Sequence, residues 1–177
     1  MSQTVWTIGH STRSIDEFLA LLRESKITFV ADVRRYPGSR RYPQFNREAL
    51  TRSLNSNGIE YLSVPELGGR REPRKDSTNT AIRNAGFRGY ADYMETAEFA
   101  RGIERMLQAA ADRRLAMMCS EAAWAECHRS FIADYLKVRG HSVIHIISVK
   151  KEEEHPYTRV ANVVNGRLSY ALPFLGT

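Results

Sequence analysis

Two thiols, five imidazoles and a dense run of guanidinium groups are the parts of this 177-residue chain from which chemistry could be built. Cys119 is followed directly by Ser120 and Glu121, and Cys127 by His128 and Arg129. A sulfur with an imidazole and a guanidinium beside it is favoured as thiolate, the form that attacks electrophiles and binds metals. Three readings of the pair stay open. The first is a thiol-dependent enzyme using Cys119, Cys127, His128 and Glu121. The second is a zinc site drawn from Cys119, Cys127, His128 or His10. Seven residues separate the two cysteines, which is not a standard zinc spacing, so no residue is assigned as a metal ligand and the cofactor is left open. The third treats both sulfurs as small buried hydrophobes, the commonest fate of free cysteine. The phosphate-cradling loop of cysteine phosphatases is disfavoured, because Ala125 stands six residues after Cys119 where that loop needs arginine.

Other polar groups sit at turn signals. His10 and Ser11 follow an apolar run and precede a helix start; there His10 can serve as a general acid or base near neutral pH, or bond its own turn. Asp32 and Arg34 are two apart on one strand and point to the same side. They pair with each other, or Arg34 projects as an anion clamp that Asp32 orients. Glu121 alternates with Cys119 and is an acid-base candidate or a charge at the next helix start. His141, His145 and His155 are read as structural.

The net charge is +6, and its distribution is more informative than its sum. Between Arg34 and Arg88 there are 12 Lys+Arg against 5 Asp+Glu, so the whole excess lies in that stretch. It is nearly all arginine, whose planar fork matches phosphate. Tyr36, Tyr42, Phe45, Phe87, Tyr90 and Tyr93 interleave with it. Arginines beside stacking rings suit a nucleotide or nucleic acid better than a small sugar phosphate. The competing reading is a solvated, arginine-rich face.

These groups need elements to position them. Thr4–Gly9 reads as a short buried strand. Ser14 with Glu17 is a capping box, and Ile15, Phe18, Leu19 and Leu22 share one helical face, which predicts a helix over 14–25. Strands are expected at 28–33 and 59–64, with a helix from Asn46 to about Ser56 between them. Residues 66–89 show no steady period and are expected to form a long excursion or lid. Helices follow over 90–96 and around Phe99, Ile103 and Met106, then a strand at Leu115–Cys119, a helix around Phe131 and Leu136, and a fifth strand at 142–149. Asn165 and Gly166 predict a C-terminal hairpin between 158–164 and 167–171, within an extension spanning 156–175, after a solvated charge run at 150–154.

The expected fold is a single α/β domain, with a core over 4–149: a mainly parallel sheet of about five strands, helices on both faces and a C-terminal β-hairpin. Ligands of such sheets bind at the carboxyl ends of the strands. His10, Ser11, Asp32, Arg34, Gly68, Gly69, Cys119 and Glu121 all fall there, with Cys127, His128 and Arg129 just beyond. With 42% apolar and 26% charged residues the chain is neither fibrous nor disordered, and two cysteines do not make a disulfide scaffold. Its apolar runs fall far short of the ~20 residues that span a bilayer, and its start lacks the layout of a secretory signal. A cytoplasmic protein with no membrane partner is expected.

Thr7-Ile8-Gly9-His10-Ser11, Asp32-Val33-Arg34 with Pro37 and Ser39, Leu67-Gly68-Gly69, Cys119-Ser120-Glu121 and Cys127-His128-Arg129 resemble the domain of unknown function 488 family, in the family's order. The resemblance implies a compact α/β domain with these motif residues on its rim, and adds Ser39 to the candidates. It implies no activity, although members are sometimes labelled as DNA-repair proteins. Relatives often carry an acidic-proline break between the glutamate and the second cysteine. Here Ala122-Ala123-Trp124-Ala125 could continue a helix and move Cys127 off the rim. The leading expectation is an enzyme acting on a phosphorylated nucleotide or nucleic-acid-linked substrate. Cys119, Glu121, His10, Cys127 and His128 would supply its chemistry, and Ser11, Asp32, Arg34, Ser39, Gly68, Gly69 and Arg129 would hold the anion. The alternatives are a non-catalytic nucleic-acid-binding module associated with DNA repair, and a thiol- or metal-based sensor.

Overall fold

In the computed structural model residues 1–173 are described. Strands β1 (Thr4–Gly9), β2 (Phe29–Asp32), β3 (Glu60–Ser63), β4 (Leu115–Cys119), β5 (Ser142–Ser148) and β6 (Lys151–Glu154) form one sheet in the order β3-β2-β4-β1-β5-β6. The first five are parallel and β6 runs antiparallel to β5. The charge run at 150–154 is therefore a sixth, edge strand as well as a solvated one. All four of its side chains are exposed, and such a charged edge resists pairing with another chain. The predicted hairpin is present as β7 (Asn162–Val164) and β8 (Arg167–Ser169), with Asn165 and Gly166 both at positive φ. Positions 174 and 175 of the expected extension lie outside the described residues.

The connections decide which face each helix covers. From β1 the chain moves towards the β3 edge through α1 (Ile15–Glu24) and α2 (Arg47–Asn55). It then reverses through α3 (Ala85–Tyr93), α4 (Ala97–Ala109) and α5 (Arg129–Val138) towards β5. Right-handed crossovers send opposite travel to opposite faces. Accordingly Phe18, Leu22, Leu50 and Leu54 pack on Ile8, Val30 and Met118 on one face, while Tyr90, Phe99, Met106 and Phe131 pack on Val5, Ala31 and Met117 on the other. Neighbouring β1 and β4 release their chains to opposite sides, which opens a crevice at their carboxyl ends.

Ser14 caps α1 by accepting from the Glu17 N–H, as the capping box predicts. The helix expected at 90–96 starts earlier, at Ala85, because Asn84 caps it by accepting from the Phe87 N–H. The preceding excursion is thus shorter than expected, and it is tied down. Asp92 accepts from the backbone N–H of Arg74, the hydroxyl of Ser77 and the amide of Asn79. Burial opposes its ionisation, but these bonds outweigh it and hold the carboxyl below its ordinary value. Among the described residues no helix is long and apolar enough to cross a membrane.

Candidate active site

Strand alternation divides the polar residues near the carboxyl edge into two groups. Asp32, Arg34 and His10 share the face of Val30 and Ile8, towards α1 and α2; Thr7, Cys119 and His145 share the face of Val5, Met117 and Val143, towards α5. The groups meet at the crevice, a cleft of about 890 Å³ lined by His10, Ser11, Arg34, Ser39, Gly69, Cys119, Glu121, Cys127 and His128. Backbone bonds from His10 N–H to Cys119 O (2.9 Å) and Ser11 N–H to Ser120 O (2.9 Å) hold the two rim loops together. Gly9 permits that approach: a Cβ there would lie 1.8 Å from the carbonyl oxygen of Glu121.

The floor holds both sulfurs and one imidazole. His128 Nδ1 is 3.9 Å from Cys119 Sγ and 3.7 Å from Cys127 Sγ. Its Nε2 lies 3.0 Å from the carbonyl oxygen of Val33, an acceptor, so Nε2 carries a proton and Nδ1 is the ring nitrogen that faces the sulfurs. The Cys127 sulfur also accepts from the backbone N–H of Arg129 (3.5 Å) and from its Nε–H (3.4 Å). The thiols are strongly unequal. The Cys119 thiol bonds to Cys127 and is pushed well above its ordinary pKa by that bond and by burial. Cys127 is held well below by the same bond, against burial, with His128 and Arg129 adding to the effect. The negative charge belongs on Cys127.

Cys127 reaches the floor because the run Ala122-Ala123-Trp124-Ala125 does not take the helical course that would have moved it off the rim. Only a short 3-10 turn, Trp124–Glu126, forms, closed by the Cys127 N–H on Trp124 O (3.2 Å). The Trp124 ring stacks on His145 at 4.4 Å between centroids, which folds the loop back against the sheet.

Behind the sulfurs runs a buried polar chain. Arg129 is 1% exposed and donates from Nη1 to the Thr7 hydroxyl (3.2 Å) and from Nη2 to the carbonyl of Glu121. The Thr7 hydroxyl contacts His145 Nδ1 at 2.6 Å, His145 Nε2 contacts His155 Nδ1 at 2.9 Å, and His155 Nε2 contacts Asp134 Oδ1 at 2.7 Å. One direction of donation, from Arg129 through Thr7, His145 and His155 to Asp134, satisfies every link. Burial, reinforced by His155 and Arg129, pushes the His145 pKa down to about 3. Asp134 is completed by Thr158 and Tyr170, so the C-terminal segment closes the network.

Several expected anion contacts are placed elsewhere. Arg129 does not line the cleft; its guanidinium turns inward under Cys127. Asp32 is fully buried and pairs with Arg34, as one of the two readings expects, through bonds of 2.9 and 2.7 Å, and also accepts from the Tyr61 hydroxyl. Arg34 has only Nη1 left towards the cleft, 3.4 Å from His10 Nε2. His10 donates from Nδ1 to the carbonyl of Ser11 (2.9 Å) and stacks on Phe45 at 4.3 Å. Burial holds its pKa below the ordinary value, against that backbone bond, and Arg34 adds to the lowering. Ser39 shapes its loop: its hydroxyl accepts from the Tyr42 N–H (3.0 Å). Gly68 lies off the cleft and admits the backbone of Arg35, which a Cβ would meet at 2.6 Å. Gly69 lies against the His128 ring.

Of the basic stretch, Arg34, Arg35, Arg41 and Arg70 line the cleft, with Tyr36, Tyr42 and Phe87 beside them. Arg74 is instead paired with Glu95 and Asp76, and Glu66 with Arg105. Sequence reasoning missed Thr7, Asp134 and the joining of His145 to His155, and it read Tyr90 only as a stacking ring beside the arginines. Tyr90 packs edge-on against His128 at 5.1 Å and donates to Leu67 O (2.7 Å). The available signal was parity: Thr7 and His145 are polar residues in step with core positions of β1 and β5.

Residues 14–136 match the family model described as domain of unknown function DUF488. No curated protein and no solved structure matches the chain.

Proposed function

The chain belongs to the DUF488 family, and because that description assigns no activity, we propose a function from the site itself: an enzyme that holds an anionic, nucleotide-class substrate in the arginine-rimmed cleft and attacks it with the Cys127 thiolate. The observation that carries this reading is the guanidinium of Arg129. It is buried, it closes on the Cys127 sulfur at 3.4 Å, and among the described residues it meets no carboxylate at salt-bridge distance. An isolated buried cation costs several kcal/mol. A thiolate beneath the cleft is the counter-charge that lets Arg129 stay inside.

Substrate class follows from the rim. Arg35, Arg41 and Arg70 bring charge suited to phosphate, and Tyr36, Tyr42 and Phe87 bring flat surfaces on which a base can stack. In the reaction, Cys127 Sγ bonds to the electrophilic centre beside the bound anion as the bond to the leaving group breaks, and the leaving group takes the Cys119 proton. Water then cleaves the sulfur-bound intermediate, its proton returns to Cys119, and Cys127 departs as thiolate. The net change is hydrolysis, with no electrons exchanged. His10, uncharged at the rim, is the base placed to relay the proton of that water. Two free thiols at a reactive floor suit a reducing compartment, so we place the protein in the cytoplasm.

The test uses metal-free, reduced protein and a panel of nucleoside mono- and diphosphates. Turnover that Cys127→Ser abolishes while nucleotide binding persists is the expected result. Unchanged turnover in that variant, or nucleotide binding that does not weaken with salt, would remove the reading.

A further inference from the structure

We propose that Cys119, Cys127 and His128 are the binding site for a borderline-soft divalent cation of the zinc class, whose remaining coordination position opens into the cleft. One nitrogen and two sulfurs, all buried or half-buried at the floor, lie within 4.8 Å of one another. The nitrogen is 3.7 and 3.9 Å from the sulfurs. With Zn–S of about 2.3 Å and Zn–N of about 2.0 Å, tetrahedral angles put sulfur and nitrogen about 3.5 Å apart and two sulfurs about 3.8 Å apart. The nitrogen–sulfur separations therefore need change only by tenths of an ångström, and the sulfurs, already within 4.8 Å of each other, by no more than about 1 Å.

The surroundings are those of a ligand set. Metal-bound imidazoles characteristically donate their other N–H to a carbonyl or carboxylate. His128 does so to Val33 O, which leaves Nδ1 as the coordinating atom. The Cys127 sulfur accepts two N–H groups from Arg129, which orient it and stabilise its charge. All three residues line the cleft, so a bound cation would face incoming molecules. Two sulfurs and one imidazole select zinc-class cations over magnesium or calcium, which require oxygen. The spacing of the cysteines does not announce such a site; the turn at Trp124–Glu126 creates it.

This inference rests on the preceding reading only in requiring a deprotonated Cys127, and it adds regulation: a cation held by that sulfur blocks its attack. Reduced, chelator-stripped protein is titrated with Co²⁺ as the probe, and alkylation of Cys119 and Cys127 by iodoacetamide is followed with and without Zn²⁺. Expected are one Co²⁺ per chain, with the intense visible bands and the sulfur charge-transfer band of a tetrahedral thiolate complex, and protection of both cysteines by Zn²⁺. His128→Ala, checked for an unchanged thermal melt, is expected to lose the spectrum. A pale octahedral spectrum, or alkylation indifferent to Zn²⁺ in the natural chain, overturns the proposal whatever the variant does. Metal-free protein that turns nucleotide over through Cys127 but ignores Co²⁺ loses the cation site and keeps the thiolate reading; the opposite pair of results does the reverse.

Discussion

Arg129 and Cys127 form a buried pair in which the sulfur accepts from the guanidinium Nε–H at 3.4 Å and from the arginine's own backbone N–H at 3.5 Å, with the arginine only 1% exposed. Each satisfies the other. Cys127→Ala should leave an uncompensated buried cation and cost about 3–5 kcal/mol of stability. Cys127→Ala combined with Arg129→Met should recover most of that loss, as a double-mutant cycle by urea unfolding will register. Equal stability of the single and double variants would mean that the two groups are not charge partners.

The close approach of the rim loops makes a second prediction. Gly9→Ala places a methyl group 1.8 Å from the Glu121 carbonyl oxygen, against the backbone of Glu121 and Ala122. Ordinary overpacking costs about 1–3 kcal/mol, and this substitution should reach or exceed the top of that range. Gly38, whose added Cβ would meet nothing within 4 Å, provides the control. Comparable melting temperatures for Gly9→Ala and Gly38→Ala would contradict the geometry.

The neutral His145 should make stability depend on pH. Burial lowers its folded pKa to about 3, while the unfolded imidazole titrates near 6.5. Between those values the unfolded chain binds the proton and the folded chain does not. The contribution is therefore complete above pH 6.5 and is lost as pH falls towards 3, with a slope approaching 1.4 kcal/mol per pH unit. Unfolding free energies measured through this window should fall less steeply in His145→Gln than in the natural chain. Parallel curves would show that His145 is not held neutral.

The rim arginines should divide by position, not by abundance. Arg41 lines the cleft, whereas Arg74 is exposed and engaged with Glu95 and Asp76. Loss of one charge-assisted phosphate contact is worth about 1.5–3 kcal/mol, so Arg41→Ala should weaken nucleotide binding roughly tenfold or more and flatten its salt dependence. Arg74→Ala should change neither. Equal effects in calorimetric titrations would point to diffuse attraction by the whole basic stretch.

Much of the fold was legible along the chain because its signals are local. The capping box at Ser14, the apolar faces of α1 and α4, the β-branched and aromatic run ending in Asp32 and the turn at Asn165 and Gly166 each act within a few residues. The start of α3 was misplaced because the Asn84 cap lies in a stretch with no apolar period, and β6 was read only as a solvated charge run because an edge strand need bury nothing.

The sequence by itself determined that thiols, imidazoles and guanidinium groups end up at the carboxyl edge of a parallel sheet, since strand-to-helix turns must emerge there. Tertiary structure alone decided which of them touch. The strand order, set by long-range pairing, put β4 between β2 and β1 and so brought Val33 to His128 and Thr7 to Arg129. Trp124 stacking on His145 turned an alanine-rich run back and set Cys127 beside Cys119. Whether Arg129 meets an incoming anion or a sulfur depends on the direction of one buried side chain, and residue spacing carries no record of that direction.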